Sequence, residues 1–176
     1  SMGFLDLFGF GPASWGGSLV KAAGMTVLVA GLGFLLGGAI GAAVAWARGG
    51  GRLSVRWAAR LYTTVLRGVP DLLVIYLLYF GGSFALGSIG AVFGHAGFVE
   101  LPPLSTGGVA LGIVFGAYHA EVYRGAYLAI PPGQFEGAAS LGMKTWQVAL
   151  LITFPLVLRY ALAGLGNVWQ MVLKES

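Results

Sequence analysis

Cysteine is absent from these 176 residues, which excludes disulfides and thiolate metal sites and leaves the redox compartment unreadable. Charge is scarce as well: 9% of the residues are Asp, Glu, Lys or Arg, where a soluble domain carries roughly 25%. With 57% hydrophobic residues and a mean hydropathy of +0.85, too few polar side chains remain to clothe a water-facing surface. The chain reads as an integral membrane protein. There is no "GxSxG" elbow and no histidine placed to serve a serine, so the chain is not expected to be an enzyme. No "GxxxxGKS/T" loop occurs, so ATP hydrolysis falls to a partner and no cofactor is expected here. His95 and His119 stand alone without further ligands at metal-binding spacing, which favours loop and packing roles over a metal site. The net charge of +4 comes without a basic groove interleaved with aromatics, so it does not point to nucleic acid.

What is there is long apolar runs. Residues 22–47 carry no charge, enough helix at ~1.5 Å per residue to cross a ~30 Å hydrocarbon core with tilt. Further spans are expected at 61–80, 107–129 and 156–176, with a loop over 131–155, all in a single transmembrane domain. Residues 81–106 read as a glycine-rich loop without lysine or arginine. Arg48, Arg52, Arg56 and Arg60 flank the first loop, which the basic-residue rule places in the cytoplasm. The N-terminus is then outside, and the 131–155 loop is cytoplasmic. Trp15 and the phenylalanines before it read as an interfacial anchor, and Trp46 and Trp57 fall where an aromatic belt is expected. Ser1 before Met2 reads as a cloning remnant, and the helix reaching Ser176 as unfinished.

Small residues recur every four positions on two spans: Gly33, Gly37, Gly41 and Ala45 on the first, Gly108, Gly112, Gly116 and Ala120 on the third. That spacing lets helix backbones approach closely, either inside one bundle or between subunits.

Charges within spans are expensive and need a reason, at least ~2.5–3.5 kcal/mol for a central Arg or Asp. Glu121 is expected to pair with Arg67 or Arg124, or to line a path for a zwitterionic substrate. Asp71 either pairs with Arg67 one turn away or faces a cationic group. Asn167 and Gln170 offer uncharged hydrogen bonding on the last helix, to a substrate or to another helix. A gated channel or secondary transporter would instead use Arg67, Asp71 and Glu121 as an ion or proton relay, although no internal repeat is visible.

The most informative stretch is "IPPGQFEGAASLGMKTWQVALLITFPLVLR", residues 130–159. Pro131 and Pro132 end the preceding helix, residues 134–141 can make two helical turns with Glu136 in the first, and Gly142 is placed to stop them in a left-handed cap. Pro155 is expected to break the apolar segment that follows. A short helix of small side chains is either a surface connector or a piece that seats in another protein's groove.

This stretch resembles the EAA loop of permease subunits of binding-protein-dependent ABC importers. Glu136, Gly137, Ala138 and Ala139, then Gly142, Ile152, Phe154 and Pro155, keep that loop's spacing, with Gly137 and Phe154 standing where the pattern has alanine and leucine. "RGVPDLLVIYLLYFG", "GAYHAEVYRGAYLAIPPGQFE" and "RYALAGLGNVWQMVLKES" are similar to the polar amino-acid permeases, nearest to their histidine, basic amino-acid and opine branch. The resemblance implies an all-α, polytopic bundle of the type I ABC importer permease fold, about four of whose spans are present with the last truncated. It also implies a multi-pass protein of the bacterial inner membrane, with Glu136, Gly137, Ala138, Ala139 and Gly142 coupling to an ATP-binding cassette ATPase dimer. Further implied partners are a second permease subunit, the same or related, and a periplasmic or extracellular solute-binding protein. Arg67, Asp71, Glu121, Asn167 and Gln170 would border the path of a polar amino acid.

Overall fold

The computed structural model describes residues 9, 14–50, 52–92 and 102–176, and among them every regular element is a helix. In chain order these are α1 (Gly16–Gly49), α2 (Leu53–Gly68), α3 (Asp71–Val92), α4 (Pro103–Leu128), α5 (Pro132–Ser140), α6 (Thr145–Val148) and α7 (Phe154–Glu175), with a π-helical turn at Ala149–Thr153 between the last two. His95, Gly51 and the residues before Ser14, Gly9 apart, lie outside the described residues.

The bundle is organised around α4. Its Leu111, Val114 and Phe115 form the core with Ala30 of α1, Val74 of α3, and Val168 and Val172 of α7. The two glycine ladders meet along an α1–α4 seam and run parallel. A Cβ on Gly33 would sit 2.6 Å from Cβ of Leu111, one on Gly112 2.8 Å from Cβ of Leu36, and one on Gly116 2.7 Å from Cγ2 of Ile40. A Cβ on Gly41 would overlap His119 and come within 2.8 Å of the Ala120 amide nitrogen. Of the two uses open to these ladders, the one seen is packing inside the chain. On the other side of α4, a Cβ on Gly164 of α7 would lie 2.8 Å from Val122.

Several expectations are corrected. The run at 61–80 is not one continuous helix: α2 ends at Gly68, Val69 is extended (φ −107°, ψ 144°), and α3 departs at 109° to α2. Pro70 explains this, since proline drives the residue before it out of the helical region, and its carbonyl then opens α3 by accepting from Leu73 and Val74. Nor does Pro155 break the last segment, for residues 145–175 run as one helix. The π turn just ahead of it, where the Phe154 amide bonds the Ala149 carbonyl, absorbs the donor and the space that proline removes. That helix therefore begins near Thr145 rather than Leu156. The expected loop over 81–106 is also shorter, because α3 stays helical to Val92.

Among the described residues, α1 and Thr145–Glu175 are long and apolar enough to cross a bilayer, and the bent α2–α3 pair makes a third if counted as one span. α4, expected to span at 107–129, is not among these; its polar His119, Glu121 and Arg124 have partners within the chain.

Candidate functional site

The short helix α5 is made by its two flanks. Pro131 and Pro132 occupy the N-cap and first helical positions, where a missing N–H and a fixed φ are favourable. At the other end Gly142 has φ +67°; its amide bonds the Ala139 carbonyl at 3.0 Å, and the Met143 amide bonds the Ala138 carbonyl at 3.1 Å. That paired arrangement is a Schellman stop, and its left-handed backbone at position 142 favours a residue without Cβ. Because the helix starts at Pro132, Glu136 falls in the second turn rather than the first, too far from the N-terminal amides to gain from them as expected. Phe135 rests against Tyr127, with ring centroids 6.0 Å apart, and Ala138 is buried. Glu136, Gly137, Ala139 and Ser140 are exposed, and nothing lies within 4 Å of where a Cβ on Gly137 would be. The outward side of α5 is therefore small, smooth and marked by one carboxylate.

Above it on α4 is a charge cluster. Glu121 accepts from Arg48, the last-turn arginine of α1, and also pairs with Arg124 at 3.3 Å and Arg67 at 3.9 Å. Both expected partners are thus present, joined by one that sequence reasoning left as a mere flanking charge. The glycine ladders held the clue. Arg48 lies seven residues past Gly41, on the same face of α1, and Gly41 sits beside Ala120, the neighbour of Glu121. Arg48 also donates to the Thr63 hydroxyl at 3.3 Å, and the Tyr62 hydroxyl donates to the Ile113 carbonyl, so α2 is tied to both helices of the seam.

Asp71 does not pair with Arg67. The 109° bend at Pro70 takes them off a common helix, and Asp71 accepts instead from the Tyr118 hydroxyl at 2.9 and 3.1 Å. Arg67 lies over the same tyrosine ring, 5.6 Å from its centroid. Tyr118 therefore sits between the two charges, and no sequence pattern pointed to it. Asn167 and Gln170 are exposed on α7, the open side of the chain, and make no hydrogen bond among the described residues. His119 is fully buried in the seam; its Nδ1–H donates to the Phe115 carbonyl at 2.8 Å, and its ring packs edge-on to Phe34. Among the described residues no group of three or more His, Cys, Asp or Glu is arranged to hold a metal ion.

The family model described as "Binding-protein-dependent transport system inner membrane component" matches residues 37–176. The chain belongs to this family. It is thus a multi-pass inner-membrane permease component, as the motifs around Glu136 and Arg67 implied. It is 47% identical over 178 residues to the octopine transport system permease protein OccQ of Rhizobium meliloti, an alignment covering 99% of this chain and 74% of that one. It is 40% identical over 131 residues to the histidine/lysine/arginine/ornithine transport system permease protein HisQ of Escherichia coli, covering 72% and 57% of the two chains. The fold is similar to the crystal structure of an amino acid ABC transporter with histidines, with a TM-score of 0.68 and 29% identity over 90% of this chain and 72% of that one.

Proposed function

We propose that this chain builds part of the translocation path of an ATP-driven importer of polar amino acids, and that α5 couples it to an ATPase subunit. The observation that carries the proposal is the exposed face of α5. A helix clamped by prolines at one end and a Schellman stop at the other has a fixed outline, and its Glu136, Gly137, Ala139 and Ser140 are left exposed among the described residues. Fixed shape is what a transmitting contact requires, because a flexible segment would absorb the displacement it should pass on. α5 leaves the end of α4, so a push on it reaches the seam and the charge cluster above. In this reading ATP is bound by the ATPase dimer, and its closure favours one of two packings of the bundle. The cytoplasmic placement of α5 and of the Arg48–Arg60 segment belongs to the same proposal, as does the outward N-terminus.

The substrate class follows the relatives, whose names give octopine and histidine, lysine, arginine and ornithine. Asp71 at the bend, Arg67 and Glu121 beside it, and Asn167 and Gln170 on the open side of α7 offer both charges and neutral hydrogen bonding to a zwitterion with a polar side chain. A second permease subunit, a copy or a relative, closes the path over the exposed face of α7, and a solute-binding protein delivers the substrate.

The test is Glu136→Lys in the complete transporter reconstituted in proteoliposomes. ATP-driven uptake is expected to be lost while the protein still inserts and the complex still hydrolyses ATP; uptake at the normal rate would refute the role of α5. Asp71→Asn separately tests the path, with arginine uptake expected to fall more than that of a neutral amino acid. Equal losses would remove Asp71 from it.

A further inference from the structure

α2 has three unlike sides. Ala59 and Thr63 are buried against the bundle, with Tyr62 and Leu66 beside them. Leu53, Trp57, Leu61 and Val65 form an apolar side that is 62–67% exposed at the first three. Between the two runs an edge of arginines: Arg52 at the N-cap, then Arg56 and Arg60, each four residues on and each exposed. Among the described residues no carboxylate pairs with any of the three: Glu121 is taken by Arg48, Arg67 and Arg124, Asp71 accepts from Tyr118, and Glu136 and Glu175 form no ion pair.

The orientation of α2 is as telling as its composition. Its Thr63 and Arg67 meet the charge cluster, at Arg48 and Glu121, its Tyr62 side chain reaches further along α4 to the Ile113 carbonyl, and the chain then turns through 109° into the apolar α3. If α3 crosses the bilayer, a helix set at about a right angle to it, next to the charged residues closing the seam, is placed to lie along the bilayer surface. An apolar side with a tryptophan and an adjoining arginine edge is the composition of a helix held in the interface, where apolar groups enter the acyl region and guanidinium groups meet phosphate. We propose that α2 lies in the cytoplasmic leaflet and that Arg52, Arg56 and Arg60 bind the headgroup phosphates of anionic phospholipids. The proposal rests on the cytoplasmic placement given above. Through Thr63 and Arg67, the bound lipid then steadies the Arg48–Glu121 contact between α1 and α4.

The complete transporter and its Arg52→Gln/Arg56→Gln/Arg60→Gln variant, purified in detergent, are titrated with phosphatidylglycerol and with phosphatidylcholine, and bound lipid is counted by native mass spectrometry. The parent is expected to prefer phosphatidylglycerol by on the order of tenfold or more, and the variant by about twofold or less, since each interfacial arginine contributes separately. Lysine at the same three positions keeps the charge and is expected to keep most of the preference, which separates lipid binding from misfolding. A parent without preference, or a glutamine variant that retains it, overturns the lipid site. If the glutamine variant instead sheds the ATPase subunit with its lipid preference intact, the arginine edge belongs to a protein partner and the proposal fails. The chain lacks cysteine, so Ser54→Cys supplies a single thiol on α2 for labelling in cells. Labelling from outside contradicts the cytoplasmic placement, and this proposal with it. Labelling from inside, with no lipid preference, removes the lipid site alone.

Discussion

Glycine does opposite work in two regions of this molecule. Along the α1–α4 seam, a Cβ on Gly33, Gly112 or Gly116 would press within 2.6–2.8 Å of the facing helix, so the absence of a side chain sets how closely the helices approach. On α5, Gly133 and Gly137 have nothing within 4 Å of the same position, so their smallness contributes nothing to packing within the chain. A glycine inside a helix costs roughly 1 kcal/mol against alanine. In the seam that cost is offset by dispersion contacts and close backbone approach. On α5 nothing in the chain offsets it, which is consistent with a surface that is completed by another protein. The seam is made to hold, and in the proposed function α5 is made to be held.

The comparison can be broken from the seam side first. Gly41→Val is expected to have the largest effect, because its side chain would overlap His119 and the Ala120 backbone, neither of which can swing away. A loss of about 3 kcal/mol or more, at the upper end for overpacking, would show as failure to purify a folded complex or a large fall in Tm. Next comes Glu121→Gln. It leaves the largely covered Arg48 facing Arg67 and Arg124 without a counter-charge, a loss of about 3 kcal/mol, at the low end for breaking a buried pair. Arg124→Gln, removing a pair whose arginine is 45% exposed, should cost about 1 kcal/mol or less, and the contrast in Tm between the two variants measures how far the cluster depends on Arg48. Tyr118→Phe removes the donor to Asp71 and is expected to cost about 1.5 kcal/mol. Smallest of all is Gly137→Ala: stability unchanged or slightly raised, with uptake retained, since the added methyl meets nothing in the chain. A marked loss of uptake there would sharpen the picture, by showing that the partner contacts α5 at Gly137 itself.

What could be read from the sequence was whatever is local and periodic. The glycine ladders, the left-handed cap at Gly142 and the helix between Pro131 and Gly142 all follow from spacing within a few residues. What could not be read depended on direction or on distant partners. A proline in an apolar run is compatible with a sharp turn or with a helix that accommodates it: Pro70 gives the 109° bend and Pro155 follows a π turn in a continuous helix. The helix start at Pro132 rather than two residues later moved Glu136 out of the first turn. Arg48 and Tyr118 reach Glu121 and Asp71 across 73 and 47 residues of chain, and no periodicity encodes contacts of that range. The ladders could have located Arg48 had they been aligned face to face, because their parallel register carries Gly41 to Ala120.

The most direct test of the account is to ask what touches α5 in the assembled transporter. Ser140→Cys places the only thiol of this chain on the exposed side of α5, and Gly17→Cys places one at the far end of α1, where nothing lies within 4 Å of the added side chain. Each variant is labelled with a thiol-directed benzophenone and irradiated in native membranes with the ATPase and binding protein present. The account predicts an adduct with the ATPase subunit from position 140 and none from position 17. An ATPase adduct from position 17, or only lipid and permease adducts from position 140, would contradict it.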